Sequence, residues 1–314
     1  MSIESTRAWL KGPVVAVATP FRPDFALDLD GLRANIEFMI SGGVTTGQGV
    51  LLVAGAAGEF PALSREERIA VMETSVETAA GRVPVMTSCQ HTDWREVVAL
   101  ARAAESAGIA GLQLGATYYY SSTNEDLVRL TELVGGAVAI PLMIYSTWWE
   151  GGMTIDGQLL SRLADLPNVE AVKWSAPSAE AFTEGLATIA DRLVVIDNQG
   201  QHVWGHALGA AGFVTHISNF WPAYPLGIWR ALEAGDVATV RDELARFKWG
   251  WSRWAGRVMA ETGGEGPFIK AALEAVGLAA GPPRPPSTAP SPALVEELRA
   301  LFQSAGVPGA AAAR

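Results

Sequence analysis

Short apolar runs alternate with longer amphipathic segments over most of the chain. The apolar runs are rich in Val, Leu and Ile and have the length of buried strands. Eight such runs are present, at 14–19, 50–54, 83–88, 110–115, 140–145, 169–174, 193–197 and 212–217. The segments between them have helical periodicity, and the one at 64–80 opens with Ser64 and Glu67 in a capping-box spacing. Further helices are predicted to begin at Asp28, Asp93, Asn124, Thr154 and Ser178.

This alternation predicts an α/β fold, a (β/α)8 TIM barrel with a C-terminal helical appendix. Strands that are apolar throughout indicate a parallel sheet covered on both faces, and a helix after each strand is typical of a closed barrel. An open, doubly wound sheet is the alternative. The barrel is favoured because no Gly-rich dinucleotide fingerprint follows the first strand.

The pattern also divides the chain into regions. We expect the catalytic barrel at 12–221, a C-terminal helical region at 222–303 and a flexible tail at 304–314. Helices are predicted at 224–233, 237–254, 267–276 and 293–303, and the stretch 281–292 is Pro-rich and therefore extended.

Composition and charge narrow the function. Hydrophobic residues make up 49% of the chain and charged residues 18%, as in folded globular proteins. The formal net charge is −10 and no run of Lys or Arg occurs, which argues against a nucleic-acid or membrane partner and favours a small-molecule substrate. The single cysteine, Cys89, excludes a disulfide framework. The N-terminus has no apolar signal core, so we expect a soluble, cytoplasmic protein.

Lys173 is the first candidate for chemistry, because active sites of such barrels lie at the carboxyl ends of the strands. It lies within an apolar strand, and the chain has only four lysines against nineteen arginines. Burial disfavours the ammonium form, so we expect a lowered pKa and an amine that attacks a carbonyl carbon. The alternatives are a lysine that extends into solvent or one paired with a buried carboxylate.

Other candidates follow neighbouring strands. Tyr145 ends the strand before that of Lys173, where its hydroxyl would act as a general acid and base, unless the ring is simply packed. His91 follows the third strand and is a candidate for substrate contact. Glu59 closes a Gly-rich turn and is expected to tie that loop to neighbouring backbone. The histidines form no metal-ligand pattern, so neither a metal nor a cofactor is predicted.

Taken in order, these residues resemble the dihydrodipicolinate synthase / N-acetylneuraminate lyase family of pyruvate-type class I aldolases. The resemblance extends from about Gly12 to about Pro285. The motifs that carry it are Thr-Pro-Phe at 19–21, the turn at 55–59 followed by Leu-Ser-Arg-Glu-Glu at 63–67, Tyr-Tyr at 118–119, Tyr145, Lys173, Ile-Lys-Ala-Ala-Leu at 269–273 and Arg-Pro-Pro at 284–286.

The resemblance implies a reaction and its residues. Lys173 would form an imine with the keto group of a 2-oxo acid, and Tyr145 would shuttle the proton. The backbone N–H groups of Ala56 and Ala57 would hold the carboxylate of the 2-oxo acid, and the carbonyl oxygen of Val214 would face the imine nitrogen.

The resemblance also implies a homo-oligomer and no cofactor. The family forms tetramers arranged as dimers of dimers, in which Tyr119 would reach the neighbouring subunit's site.

The chain departs from the family pattern at two places. Family members commonly have Ser or Thr where this chain has Ala56 and Ala57, so Tyr145 would need water, Tyr119 or Ser146 as its proton partner. The synthases have an Arg where this chain has Glu150, which argues against dihydrodipicolinate synthesis and would suit an amine or hydroxyl on the substrate.

Several tryptophans follow the strands, and Trp148 is the one assigned here to substrate contact. They either pack between barrel and helices or line the pocket, in which case the acceptor is a bulky or aromatic aldehyde. The others are Trp149, Trp174, Trp204 and Trp221.

Three functions therefore remain open. The leading one is a lyase that makes or breaks a C–C bond beside the keto group of a 2-oxo acid through Lys173. The second keeps the imine but gives a net dehydration, deamination or hydratase-aldolase reaction. The third is a non-catalytic 2-oxo-acid-binding protein on the same scaffold.

Overall fold

Eight parallel strands form a closed barrel in which neighbours along the chain are neighbours in the sheet, β1 to β8. This is a computed structural model, and it describes residues 3–149 and 153–310. The predicted (β/α)8 barrel is confirmed. The strands are β1 Gly12–Ala16, β2 Val50–Val53, β3 Val85–Ser88, β4 Gly111–Gly115, β5 Leu142–Tyr145, β6 Val169–Trp174, β7 Val194–Asp197 and β8 Gly212–Thr215.

Helices follow the strands, and further helices follow β8. Before β8 they are α1 Ile3–Trp9, α2 Leu29–Ser41, α3 Arg65–Ala79, α4 Trp94–Ser106, α5 Asn124–Gly135, α6 Gly157–Leu163, α7 Ala179–Ile189 and α8 His202–Ala207. After β8 they are α9 Ala223–Glu233, α10 Val237–Glu243, α11 Trp249–Thr262, α12 Gly266–Ala275 and α13 Pro292–Ala305. The predicted capping box of Ser64 and Glu67 is present at the start of α3.

The chain divides into two compact units. The first comprises the described residues within 1–14, 45–52 and 83–214. Its strands present alternate side chains to one apolar cluster, as expected for the interior of a parallel barrel. That cluster consists of Leu10, Val14, Val50, Leu52, Met86, Met143, Ala171, Val194 and Ile196.

The second unit comprises 15–44, 53–82 and the described residues from 215 onward. It contains the C-terminal helices, whose interior is largely aromatic: Phe220 stacks on Phe302 with ring centroids 5.0 Å apart, and Trp251 lies 5.2 Å from Trp254. The boundaries proposed at 12–221, 222–303 and 304–314 stay a prediction. Residues 311–314 lie outside the described part of the chain.

The predicted helix at 237–254 differs from the structure. The chain is helical over this stretch, but α10 and α11 are joined by a π-helical segment, Leu244–Lys248. The Tyr224 hydroxyl donates to the carbonyl oxygen of Glu243 and accepts from the backbone N–H of Lys248. A side chain inserted into the helical ladder widens it locally, which explains the irregular turn.

Two further predicted boundaries differ from the structure by three residues. β1 ends at Ala16 and not at 19. The Asn219 carboxamide donates to the carbonyl oxygen of Ala16 and accepts from the N–H of Ala18, so these groups are not available to a neighbouring strand. α6 begins at Gly157 and not at Thr154, because Asp156 caps it through the N–H of Leu159 at 2.8 Å.

Candidate active site

Lys173 and Tyr145 lie side by side at the carboxyl ends of β6 and β5. The two strands are parallel, and the two residues are register partners. Only 6% of Lys173 and 7% of Tyr145 is exposed. The amine nitrogen of Lys173 lies 3.9 Å from the centroid of the Tyr145 ring, within the range of a cation–π contact. The structure therefore brings the two leading candidates together.

The orientation of Lys173 follows from the alternation of side chains along β6. Trp174 points to the opposite face, where its indole N–H donates to the carbonyl oxygen of Phe182 in α7. Gly185 of α7 lies directly beneath the indole of Trp174. A side chain would not fit at this position, because a Cβ there would lie 2.2 Å from the ring. Anchoring Trp174 against α7 turns its neighbour Lys173 toward the barrel interior.

Two serines fix the loops that follow the two strands. Ser146 donates from its hydroxyl to the carbonyl oxygen of Ser175, and Ser175 donates to the carbonyl oxygen of Ser146, each at 2.8 Å. The Ser146 proton is therefore directed at backbone. Its interpretation as a proton partner of Tyr145 loses support, and the pair instead holds Tyr145 and Lys173 in register.

A cleft opens beside Tyr145. None of the described residues that line it carries a charged side chain, and most of them have neutral hydrogen-bonding groups. They are Gln90, Ala116, Thr117, Tyr118, Ser122, Tyr145, Thr147, Met153 and Ile155. Of this set, only Tyr145 was assigned a role from the sequence, and Tyr118 belongs to the Tyr-Tyr motif at 118–119. Gln90 directly precedes the candidate His91, and a polar residue at a strand end was the one signal that pointed to it.

Tyr119 and Trp148 lie on the loops near this cleft but are not among its lining residues. Tyr119 is 84% exposed, has a positive φ of 87° and contacts the ring of Tyr120 edge to face. Trp148 is half-buried and contacts Trp149, whose ring lies 6.4 Å from that of Tyr145. Thus Trp149 contacts Tyr145, and Trp148 contacts Trp149.

Three further candidates, His91, Val214 and Glu150, are not among the described residues that line the cleft. The ring nitrogen Nδ1 of His91 accepts from the backbone N–H of Asp93 at 3.0 Å, which ties His91 to the start of α4. Val214 lies on β8, partly buried and packed against the interior apolar cluster. Glu150 lies outside the described residues.

The remaining tryptophans after the strands have structural contacts. Trp221 contacts the ring of Tyr224 and the guanidinium of Arg246. Trp204 is half exposed, and its indole N–H donates to the Thr183 hydroxyl. Cys89 is fully buried, as expected for a small core residue.

The Gly-rich turn that follows β2 belongs to the second unit. Ala57 is buried and Ala56 is half-buried. The N–H of Glu59 donates to the carbonyl oxygen of Ala56 at 3.0 Å, and the Thr19 hydroxyl donates to that of Gly58. Glu59 itself has a left-handed conformation with φ of 55°. The turn is thus tightly folded and held at both ends.

Glu59 has the structural role expected for it, because its carboxylate accepts from the backbone N–H of Arg284 at 3.3 Å. Its carboxylate lies 2.7 Å from the amine of Lys270, which also donates to the carbonyl oxygen of Pro282 and lies over the ring of Phe21. Burial lowers the pKa of Lys270 below its ordinary value, and the charge of Glu59 opposes that shift. The turn is therefore anchored to α12 by a buried ion pair.

The described residues contain neither a metal-ligand cluster nor a membrane-spanning helix. Within residues 3–149 and 153–310, no three His, Cys, Asp or Glu side chains are grouped so as to hold a metal ion. No helix in that part of the chain is both long and apolar enough to cross a bilayer.

The chain is similar to known proteins along nearly its whole length. The family model of the dihydrodipicolinate synthetase family matches residues 9–305. The 4-hydroxy-tetrahydrodipicolinate synthase of Sorangium cellulosum is 33% identical over 74% of this chain and 77% of its own length. That of Methanoculleus marisnigri is 29% identical over 94% of this chain and 99% of its own.

Solved structures of the same family are also similar to this chain. Dihydrodipicolinate synthase from Aquifex aeolicus superposes with a TM-score of 0.84 at 26% identity, covering 95% of this chain and 99% of that one. A prophage protein of the dihydrodipicolinic acid synthase family from E. coli K12, solved in complex with pyruvate, has a TM-score of 0.85 at 25% identity, with coverages of 95% and 99%. The chain therefore belongs to the dihydrodipicolinate synthetase family, and it is a lyase of the class I aldolase type.

Proposed function

We propose that this enzyme makes or breaks the C–C bond between pyruvate, or a close 2-oxo acid, and an aldehyde, through an imine on Lys173. The observation that carries the proposal is the amine of Lys173, buried at the end of β6 against the ring of Tyr145. Family membership supports it, as does the pyruvate bound in the E. coli relative.

In the condensing direction, the amine of Lys173 attacks the keto carbon, and the resulting carbinolamine loses water to give the imine. The imine draws electrons from the neighbouring methyl group, so a proton leaves and an enamine forms. The enamine carbon then attacks the aldehyde carbon, whose oxygen takes up a proton. Water hydrolyses the new imine and releases the 4-hydroxy-2-oxo acid. Cleavage is the reverse sequence.

Tyr145 is the proposed acid and base for these proton transfers. Its ring is in contact with the amine of Lys173, and it also lines the cleft where an acceptor would lie. A phenol that reaches both the imine and the aldehyde oxygen exchanges one proton between them.

The resemblance supplies the proposed roles of several further residues. The N–H groups of Ala56 and Ala57 would bind the 2-oxo acid's carboxylate, and the tight turn around them is suited to present backbone donors. The carbonyl oxygen of Val214 would face the imine nitrogen. Glu150, Trp148 and His91 are proposed to contact the acceptor.

The oligomer is proposed as a homotetramer, a dimer of dimers, with Tyr119 reaching the partner's site. Support comes from the exposure of Tyr119 and Tyr120, at 84% and 78%. Adjacent aromatic side chains this exposed on a loop are typical of a surface that is covered in the assembly.

Borohydride trapping tests the imine. The protein is incubated with pyruvate and sodium borohydride, and the reduced adduct is located by intact mass and peptide mapping. We expect one carboxyethyl group per chain on Lys173 and none in Lys173→Arg, in which Lys270 serves as an internal control. A folded wild-type protein that traps no pyruvate, or traps it elsewhere, contradicts the proposal.

A further inference from the structure

The segment that follows Lys173 is held from both sides by side chains of the neighbouring loops. On the β5 side, Ser146 and Ser175 exchange reciprocal hydrogen bonds. On the β7 side, the carboxamide of Gln199 pairs with the backbone of Ala176. Its oxygen accepts from the N–H at 2.8 Å, and its NH₂ group donates to the carbonyl oxygen at 2.9 Å. Neither the family resemblance nor the proposed mechanism assigns a role to Gln199.

The carboxamide of Gln199 continues the barrel sheet past the ends of its strands. The pairing of β6 with β7 reaches Trp174 and Asp197, and the N–H of Asn198 still donates to the carbonyl oxygen of Trp174 at 2.8 Å. Beyond that point, the carboxamide bonds to both backbone groups of Ala176, because it presents a donor and an acceptor side by side as a peptide group does. The strand that carries the amine is therefore held for two residues past its end.

Gln199 is itself fixed by a buried pair at the start of α8. One carboxyl oxygen of Asp197 accepts from the backbone N–H of Gln199 at 2.7 Å, and the other lies 3.0 Å from Nδ1 of His202. Asp197 and His202 are 1% and 5% exposed. An aspartate that bonds to the backbone two residues on restricts the turn between them. The carboxamide therefore meets Ala176 from a turn that is held in place.

We propose that Gln199 is a positioning residue for the reaction of Lys173. By pairing with Ala176 it holds the end of β6, so that the amine of Lys173 stays aligned with the keto carbon of a bound 2-oxo acid. The inference rests on the proposed function and adds a residue that acts through Lys173 without contacting the substrate. A displacement of about 1 Å at a reacting group slows a reaction by up to about 10²-fold, so a group that prevents it contributes to the rate.

The test measures the exchange of the methyl protons of pyruvate with D₂O, which proceeds through the imine and is followed by NMR without any aldehyde. Gln199→Leu removes both hydrogen bonds to Ala176 at similar volume. We expect it to lower kcat for exchange about tenfold and to change KM for pyruvate less than about twofold, because Gln199 does not contact pyruvate in the proposed mechanism. Each variant is measured at a temperature at which circular dichroism shows it fully folded.

Gln201→Leu is the matched control for Gln199→Leu. Gln201 lies two residues further along the same loop, is exposed and makes no side-chain hydrogen bond that caps α8. The substitution is chemically the same, but no bond to Ala176 is lost. The exchange kinetics of Gln201→Leu should therefore equal those of the wild type.

Gln199→Glu distinguishes positioning from a contribution to stability alone. The protonated carboxyl group accepts from the N–H of Ala176 and donates to its carbonyl oxygen as the carboxamide does, whereas the ionised group has no donor. The kcat for exchange of Gln199→Glu, divided by that of wild type, should therefore be low at neutral pH and rise as the pH falls. The same ratio for Gln201→Glu should stay constant. Asp197 and His202, the titratable pair beside this turn, are present in every protein compared.

The outcomes separate this inference from the proposed function. A wild type that traps no pyruvate on Lys173 overturns the proposed function and the inference with it. If trapping is normal, a wild-type kcat for exchange in folded Gln199→Leu overturns the role of Gln199 alone. A Gln199→Glu ratio that does not change with pH does the same. Should Gln199→Leu fail to fold, the pH dependence of Gln199→Glu decides by itself.

Discussion

Two buried lysines, Lys173 and Lys270, lie in similar surroundings by two measures. They are 6% and 2% exposed, and their amines lie 3.9 and 3.8 Å from the centroids of the Tyr145 and Phe21 rings. Burial and an aromatic neighbour therefore do not identify a reactive amine. The amine of Lys270 has a carboxylate at 2.7 Å and a carbonyl oxygen at 3.0 Å, which stabilise its charged form.

Lys173 is distinguished by its position. It lies at the end of a barrel strand, beside a tyrosine that also lines a cleft. Lys270 lies within α12 and is held by the turn residue Glu59. One amine lies where the proposed imine would form, and the other connects two segments of the fold. Substitutions should therefore affect activity at one lysine and stability at the other.

The largest expected effect is on turnover. Lys173→Ala should lower the rate of aldehyde condensation with pyruvate by at least ~10⁴-fold, because no other group replaces the nucleophile. Circular dichroism should show a folded protein. Lys173→Arg keeps a cation at this position and should be equally inactive. Residual turnover near the wild-type rate in either variant would remove Lys173 from the mechanism.

The next effect concerns Tyr145. Tyr145→Phe should slow the exchange of the methyl protons of pyruvate with D₂O by ~10² to 10⁴-fold, the usual contribution of a general acid or base. NMR measures this exchange without any aldehyde. The matched control is Tyr120→Phe, which removes the hydroxyl of an exposed tyrosine. Equal exchange rates in the two variants would assign the proton transfer to another group.

Substitution of Lys270 should lower the stability of the fold, in contrast to substitution of Lys173, which should lower activity. Lys270→Met leaves Glu59 charged and buried, so the free energy of unfolding should fall by about 3–5 kcal/mol. The double variant with Glu59→Gln should recover part of that loss, since no uncompensated charge remains. Urea denaturation measures both. If Lys270→Met has wild-type stability, the buried pair is not what anchors the turn after β2.

The sequence predicted the elements whose signal is local. The alternating apolar runs predicted the barrel. Tyr145 ends one of these runs and Lys173 lies in the next, with one helix between them, so the two residues were predicted to be neighbours at the strand ends. Side-chain alternation along β5 and β6 is sufficient to place both inward.

Contacts between distant segments could not be predicted in this way. The reciprocal bonds of Ser146 and Ser175 depend on the conformations of two loops. The close approach of Gln90 to Gly115, where an added Cβ would lie 2.6 Å from Nε2 of Gln90, depends on the register of β3 and β4. The Tyr224 hydroxyl similarly interrupts the helix at 237–254, which the periodicity of that stretch predicts to be continuous. Each is a packing outcome with no pattern in the local sequence.

The smallest expected effect is on stability and concerns the ion pair between Arg284 and Glu67. Arg284 hydrogen-bonds Glu67 at 2.6 Å and holds the pKa of that carboxyl below its ordinary value. The folded protein therefore binds the proton of Glu67 less readily than the unfolded chain. The stabilisation is complete above the unfolded pKa and is lost as the pH falls through the folded one.

Glu67→Gln should accordingly be less stable than wild type at pH 7, by no more than about 1 kcal/mol because the pair is partly exposed. The two curves of unfolding free energy against pH should converge in acid. Glu73→Gln, an exposed substitution on the same helix α3, is the control and should run parallel to wild type. Parallel curves for Glu67→Gln as well would mean that the ion pair with Arg284 does not contribute to the stability of the fold.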